Sequence, residues 1–212
     1  LAEAFSERWR TIPEVNVVFD KAVLPTDEED ANIAYWTNFK GGSTQRLDPK
    51  AVIDGKPVKQ HVIAFYIEDN LASAKVLDLG CGYGRINLFY NVKEYWGYDV
   101  TPAMIYNAKL LNASKVNCHF VLGKGKSLRE FNDNSFDFVI CSTVMLHLKV
   151  STVERYSTEV YRVLKPRGSF LVNFPRSTKL NILKTFRKFS IKIIDDNYFG
   201  NDNVFLMTKG EK

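Results

Sequence analysis

From Val58 onward the chain alternates blocks of apolar and polar positions. Apolar Val62, Ile63, Phe65, Tyr66 and Ile67 fall at helical spacing before Asn70, which predicts a helix over 58–71. Short apolar runs follow at Lys75–Leu79, Tyr95–Val100, Cys118–Leu122, Phe136–Cys141, Ser169–Phe174, Ile191–Ile194 and Val204–Met207. Helical patterns lie between them at 102–112, 151–163 and 178–187. Runs that are apolar on both faces and separated by helices belong to a parallel sheet covered on both sides, so the fold class is a doubly wound α/β sheet. No helical pattern joins the last two runs across 195–203, which predicts an antiparallel hairpin closing one edge of the sheet.

Residues 1–57 have a different texture. Pro13, Pro25, Pro49 and Pro57, the acidic run Asp27–Asp30 and the Gly41-Gly42-Ser43-Thr44 turn interrupt every hydrophobic period. The division expected is an N-terminal extension or lid over 1–57 and one compact domain over 58–212. In the extension, Tyr35 and Trp36 form an aromatic pair that either closes over a bound cofactor, on the substrate side, or anchors the extension on the sheet.

Composition narrows the class. With 45% hydrophobic and 13% aromatic residues, the chain has apolar surface enough for a core, which excludes disorder and small disulfide scaffolds. Cys81, Cys118 and Cys141 are too few for a disulfide framework, and neither they nor the three histidines have metal-ligand spacing, so no metal is expected. No apolar stretch approaches a membrane-spanning length, and the opening LAEAFSERWR carries acidic residues unlike a signal peptide; a soluble, cytoplasmic protein is expected. The net charge of +5 is uneven: residues 1–40 hold 4 basic and 8 acidic side chains, and residues 162–212 hold 11 and 4. That basic quarter is either a solvated face or a surface for phosphate groups.

The candidate chemistry sits where the first run meets glycine. Val76-Leu77-Asp78-Leu79-Gly80-Cys81-Gly82-Tyr83-Gly84-Arg85 reads as a strand, a glycine-rich turn and the start of a helix, and the first strand's carboxyl end beside the topological switch is where such sheets bind ligands of the nucleotide type. Asp99 stands at the end of the next strand, where a carboxylate accepts hydrogen bonds from both hydroxyls of a ribose. The glycine spacing is GxGxG, not the GxGxxG that aims helix N–H groups at a pyrophosphate, and Asp78 would repel an anion. A cofactor with cationic groups and no phosphate fits better, and S-adenosylmethionine, with its sulfonium and ammonium, is such a molecule.

The segments VLDLGCGYGR, GYDVTPAMIYNAK, NSFDFVICSTVMLHL and RVLKPRGSFLV, in this order and spacing, resemble the successive motifs of class I S-adenosylmethionine-dependent methyltransferases, closest to the type 11 group. The resemblance covers about Val58 to Thr208. It implies a seven-stranded sheet whose last strand is antiparallel. By the same resemblance Asp78, Gly80, Cys81, Gly82 and Gly84 shape the pocket for the methionine moiety, Asp99 holds the ribose, and Val100 and Met104 flank the adenine. Tyr83 and Arg85 either orient the cofactor or belong to the solvated start of the next helix. Relatives place an acidic residue after the third strand to meet the adenine amino group. Here Lys124 stands in its place, and backbone groups around Lys126, Ser127 and Leu128 are the substitute expected.

The acceptor side follows the fourth and fifth strands. His147 is the candidate general base, with a structural role as its alternative. Ser142 borders the cofactor, and Thr143 and Arg176 face the substrate. The (Asn/Asp)-Pro-Pro-(Tyr/Phe) motif that grips exocyclic amines is replaced by Cys141-Ser142-Thr143-Val144, which argues against nucleic-acid bases and protein amides. The resemblance therefore implies methylation of a small molecule at oxygen or nitrogen. The alternatives are an RNA methyltransferase using the basic C-terminal region and a non-catalytic, cofactor-binding partner subunit.

Overall fold

The computed structural model describes residues 71–84, 92–125, 127–178, 180–198 and 202–211, and the backbone of 52–53 and 56–57. Strands β1 (Val52–Ile53) and β2 (Lys56–Pro57) form a two-residue antiparallel ladder. The extension carrying Tyr35 and Trp36, and the helix expected over 58–71, otherwise lie outside the described residues, as do Arg85 and Lys126.

Seven strands make one sheet: β3 (Lys75–Leu79), β4 (Glu94–Asp99), β5 (Cys118–Leu122), β6 (Phe136–Cys141), β7 (Leu164–Pro175), β8 (Phe189–Tyr198) and β9 (Asp202–Lys209). Their order is β5-β4-β3-β6-β7-β9-β8. The first five are parallel, and β9 runs antiparallel to both β7 and β8. The doubly wound class and the closing hairpin are both present. The chain winds outward from β3 through β4 and β5, then crosses to β6 on the other side, so the winding reverses between β3 and β6. The crevice at the carboxyl ends of those two strands is where a sheet of this topology receives a ligand.

Alternating side chains feed two cores. Leu77, Leu79, Tyr98, Val139, Cys141, Phe170 and Val172 belong to the larger cluster, and Val76, Tyr95, Phe138, Ile140, Leu171 and Val204 to the smaller. Neighbours along a strand thus fall into opposite clusters, as expected of strands covered on both faces. Helix α1 (Pro102–Leu111) starts with proline at its first position, where the missing N–H costs nothing. Helix α2 (Val150–Val163) buries Thr152, Val153, Tyr156, Ser157, Val160 and Val163, a stripe at helical spacing.

The helix expected over 178–187 is shorter, with α3 confined to Ile182–Thr185. Turns take the rest of that stretch: the Thr178 N–H donates to the Pro175 carbonyl at 3.0 Å before the helix, and the Phe189 N–H donates to the Phe186 carbonyl at 2.9 Å after it. Asn181 caps α3 by accepting the Lys184 N–H at 3.0 Å, and buried Phe186 ends it. Among the described residues no helix is long and apolar enough to cross a membrane.

Candidate functional site

The crevice is built from the loops that leave β3, β4, β5 and β6. After β3, Gly80, Gly82 and Gly84 take left-handed φ values of 79°, 51° and 68°. The turn is held down by two amides: Gly80 N–H and Cys81 N–H both donate to the Tyr98 carbonyl, at 2.8 and 3.1 Å. A side chain on Gly80 would run into Val144 of the loop after β6, so these walls touch. At Gly82 a Cβ would meet nothing within 4 Å among the described residues, and the backbone there borders open space among them. The glycine loop is therefore closed on one side and accessible at its tip.

Asp99 ends β4 beside that tip. Its Oδ2 accepts the Gly82 N–H at 3.0 Å and its Oδ1 accepts the Thr101 N–H at 2.9 Å. The two amides fix the carboxylate plane, and the Thr101 side chain and the Val100 backbone also favour its ionised form. Burial pushes the Asp99 carboxyl above its ordinary range, while the amides of Thr101 and Gly82 pull it back. Donors that arrive at this carboxylate therefore relieve a desolvated charge.

Asp78 lies beneath the loop, almost fully buried, and its Oδ2 accepts the Tyr95 hydroxyl at 2.5 Å. Burial raises the Tyr95 phenol well above its ordinary pKa, and the nearby Asp78 charge adds to the shift. Burial likewise raises the thiols of Cys81 and Cys141, with Asp78 the next cause in both. Both sulfurs stay protonated at neutral pH, so neither is an activated nucleophile.

The wall after β5 is tied to β4. Gly123 N–H donates to the Asp99 carbonyl at 2.8 Å, and the Tyr98 hydroxyl donates to the Ser127 carbonyl at 3.0 Å while receiving the Gly125 N–H at 3.4 Å. Lys124 is exposed. Leu128 differs from its expected role: its side chain is in the core, its N–H donates to Glu159 Oε2 at 2.8 Å, and its carbonyl accepts from Arg162 at 2.9 Å. Its single donor is thus already given to α2, and Ser127 is the half-buried residue of that stretch next to the crevice. Val100 and Met104 are half-buried, as are Tyr83, Ser142 and Thr143.

On the β6 side, Thr143 takes a φ of 59°, unusual for a β-branched residue. Its N–H donates to Asn173 Oδ1 at 2.7 Å and its hydroxyl donates to the Ser142 carbonyl at 2.7 Å. His147 closes the one-turn 3-10 helix Met145–His147 and is exposed, with partial burial holding its pKa below the ordinary value. Arg176 is exposed in the turn after β7. His119, on edge strand β5, stacks on Trp96 with ring centroids 4.4 Å apart. Among the described residues no group of three or more His, Cys, Asp or Glu side chains is placed to hold a metal.

Three groups at this site escaped sequence reasoning: Tyr95 beneath Asp78, the Asn173–Asp202 pair behind Thr143, and the Glu159–Arg162 pair behind Leu128. Of these, the sequence pointed only to Asn173, in the segment Asn173-Phe174-Pro175-Arg176 expected on the substrate side at the end of the fifth strand, and not to its partners.

Residues 77–172 match a family model described as a methyltransferase domain, of type 11. A demethylmenaquinone methyltransferase of Leptospira interrogans is 32% identical over 121 residues, which cover 53% of this chain and 47% of that protein. The human thiol S-methyltransferase TMT1A is 33% identical over 103 residues, covering 45% of this chain and 40% of that one. The chain therefore spans about half the length, or less, of these curated relatives. Among solved structures, the YcgJ protein of a Bacillus superposes with a TM-score of 0.60 at 20% identity, over 72% of this chain and all of that one. Phosphoethanolamine N-methyltransferase 1 of Haemonchus contortus, solved with phosphoethanolamine and S-adenosylhomocysteine, gives 0.65 at 13% identity, over 87% and 49%. At these identities the structural likeness establishes the fold.

Proposed function

We propose that the chain is an S-adenosylmethionine-dependent methyltransferase acting on a small molecule, a reading supported by the match of residues 77–172 to the methyltransferase-domain family. The observation that carries the reading is Asp99, a half-buried carboxylate with both oxygens oriented by backbone amides, beside a glycine loop that opens at Gly82. The residues fit the cofactor: Asp99 suits two ribose hydroxyls, the bare backbone at Gly82 admits the methionine end, and the Asp78 charge beneath the loop favours cationic groups above it.

When bound, the cofactor supplies a methyl group already activated by its sulfonium, so the chain need only bind, orient and exclude water. Asp99 and the glycine loop orient. Val144, against Gly80, narrows the acceptor side. His147 stays neutral near pH 7 and is the base proposed for an acceptor that must lose a proton. The proposed acceptor atom is oxygen or nitrogen. Carbon and sulfur are the alternatives raised by the relatives' names, a demethylmenaquinone and a thiol methyltransferase.

Calorimetry tests the reading. S-adenosylmethionine should bind the wild-type chain in the micromolar range, and Asp99→Ala should abolish the heat. A silent wild type would sink the proposal. Methyl transfer from labelled cofactor to a panel of small alcohols, amines, thiols and quinols would then assign the acceptor atom.

A further inference from the structure

Resting on that reading and deepening it, we propose that Asn173 and Asp202 are a positioning pair that sets the acceptor-side wall of the crevice through the backbone of Thr143. Thr143 is held in the left-handed region, with φ at 59°, a conformation its branched side chain disfavours. Something outside the loop must hold it there. Asn173, only 1% exposed at the end of β7, accepts the Thr143 N–H at 2.7 Å and donates through Nδ2 to Asp202 Oδ2 at 2.8 Å.

The two contacts fix which way the amide faces. Flipped, its NH2 would meet the Thr143 N–H and its carbonyl would meet a carboxylate. Asp202 is 9% exposed and opens β9, in register with Pro175, two positions along from Asn173. The chain of contacts therefore runs from β9 through β7 to the loop after β6. It anchors that loop to the antiparallel part of the sheet.

The location makes the pair more than a core contact. Val144, the residue after Thr143, packs where a side chain on Gly80 would otherwise sit. Gly80 and Val144 stand on the loops that leave the two strands between which the winding reverses. A shift at Thr143 is thus passed directly to the glycine loop. A buried amide inside the apolar run LVNFP is costly unless both its ends are satisfied, and here both are.

The test uses the full chain, with S-adenosylhomocysteine as the probe. Amide hydrogen exchange is read at Thr143, and affinity is read by calorimetry. Asn173→Ala and Asp202→Ala should each expose the Thr143 amide to exchange and weaken binding, Asn173→Ala by about tenfold. Asp202→Asn, whose side-chain oxygen still accepts from Asn173, should keep both properties near wild type. A purely structural role would lower stability in all three without this rescue. Unchanged Thr143 exchange and affinity in the two alanine variants would overturn the proposal, as would equal losses in Asp202→Asn and Asp202→Ala. If Asn173→Ala does not fold, the Asp202 pair decides. If the wild type fails to bind the probe, the methyltransferase reading fails separately, and Thr143 exchange alone decides: loss in the alanine variants supports the pair, and no change overturns it.

Discussion

Asp99 and His147 are poised in opposite senses, and pH separates their roles. Burial raises the Asp99 carboxyl above its reference of 3.8, so the free protein begins to protonate it at a higher pH than an ordinary aspartate. Ribose hydroxyls donate to the ionised form. Cofactor affinity should therefore be full at neutral pH and fall, as the medium is acidified, through that raised pKa. Calorimetry across roughly pH 4 to 7 checks this, and the acid limb should vanish in Asp99→Asn. His147 moves the other way: partial burial lowers its pKa from 6.5, which keeps the imidazole neutral and able to accept a proton down to a lower pH. If it is the base, the rate of methyl transfer rises with pH through that lowered value, and His147→Ala removes the limb.

Among elements, α2 does most to shape the wall after β5. Arg162 donates to Glu159 through Nε and Nη2, to the carbonyls of Phe131 and Leu128, and to Asp133, all between 2.7 and 3.0 Å. Glu159 in turn accepts the Leu128 N–H, so one turn of α2 grips the wall by donor and acceptor together. Lysine carries the charge but not the planar fork, and it cannot reach all these acceptors at once. Arg162→Met should destabilise the fold by about 2 kcal/mol, and Arg162→Lys should recover only a small part of it in urea melts. Both variants should weaken S-adenosylhomocysteine binding, because the loop that Tyr98 holds at Gly125 and Ser127 begins where this grip ends. These contacts also mark where sequence reading stops. The strands and the glycine loop were legible because apolar runs and glycine spacing are local signals. Leu128 read as a backbone donor until α2, 31 residues on, took its N–H. Asn173 was visible only as part of a segment on the substrate side, without its partners, since they lie 30 residues before it and 29 after. Helix α3 was overdrawn because Leu180, Ile182, Leu183 and Phe186 keep helical spacing, yet Leu183 is 72% exposed and turns closed by Thr178 and Phe189 occupy the flanks.

Over the whole molecule, the fold decides what the basic C-terminal quarter is for. Arg162 is committed to Glu159 and Asp133, Lys165 to Asp137, and Arg167 to Glu211, with closest distances of 2.9, 2.7, 2.7 and 2.6 Å. Lys209 is buried, donating to the Leu164 carbonyl at 2.6 Å and to Asn134 at 2.9 Å, with its ammonium over the Tyr161 ring. Four of the eleven cations in that quarter are thus engaged within the protein: Arg162 ties α2 to the loop before β6, Lys165 ties β7 to β6, Lys209 ties β9 to the start of β7, and Arg167 makes an exposed pair with Glu211. A cation already paired inside the protein releases few counterions when it meets a phosphate, and the salt dependence of binding counts only the cations that do. Single-stranded RNA should therefore bind the full chain no tighter than about 10 μM at physiological salt, with a shallow slope of log affinity against log salt. Filter binding across a salt series measures both. Submicromolar affinity with a slope of about −4 or steeper would require several free cations acting on one strand, and would transfer the acceptor from small molecules to RNA. A weak, shallow response leaves the crevice between β3 and β6, with Val144 against Gly80 and Asn173 behind Thr143, as the place where the acceptor is chosen.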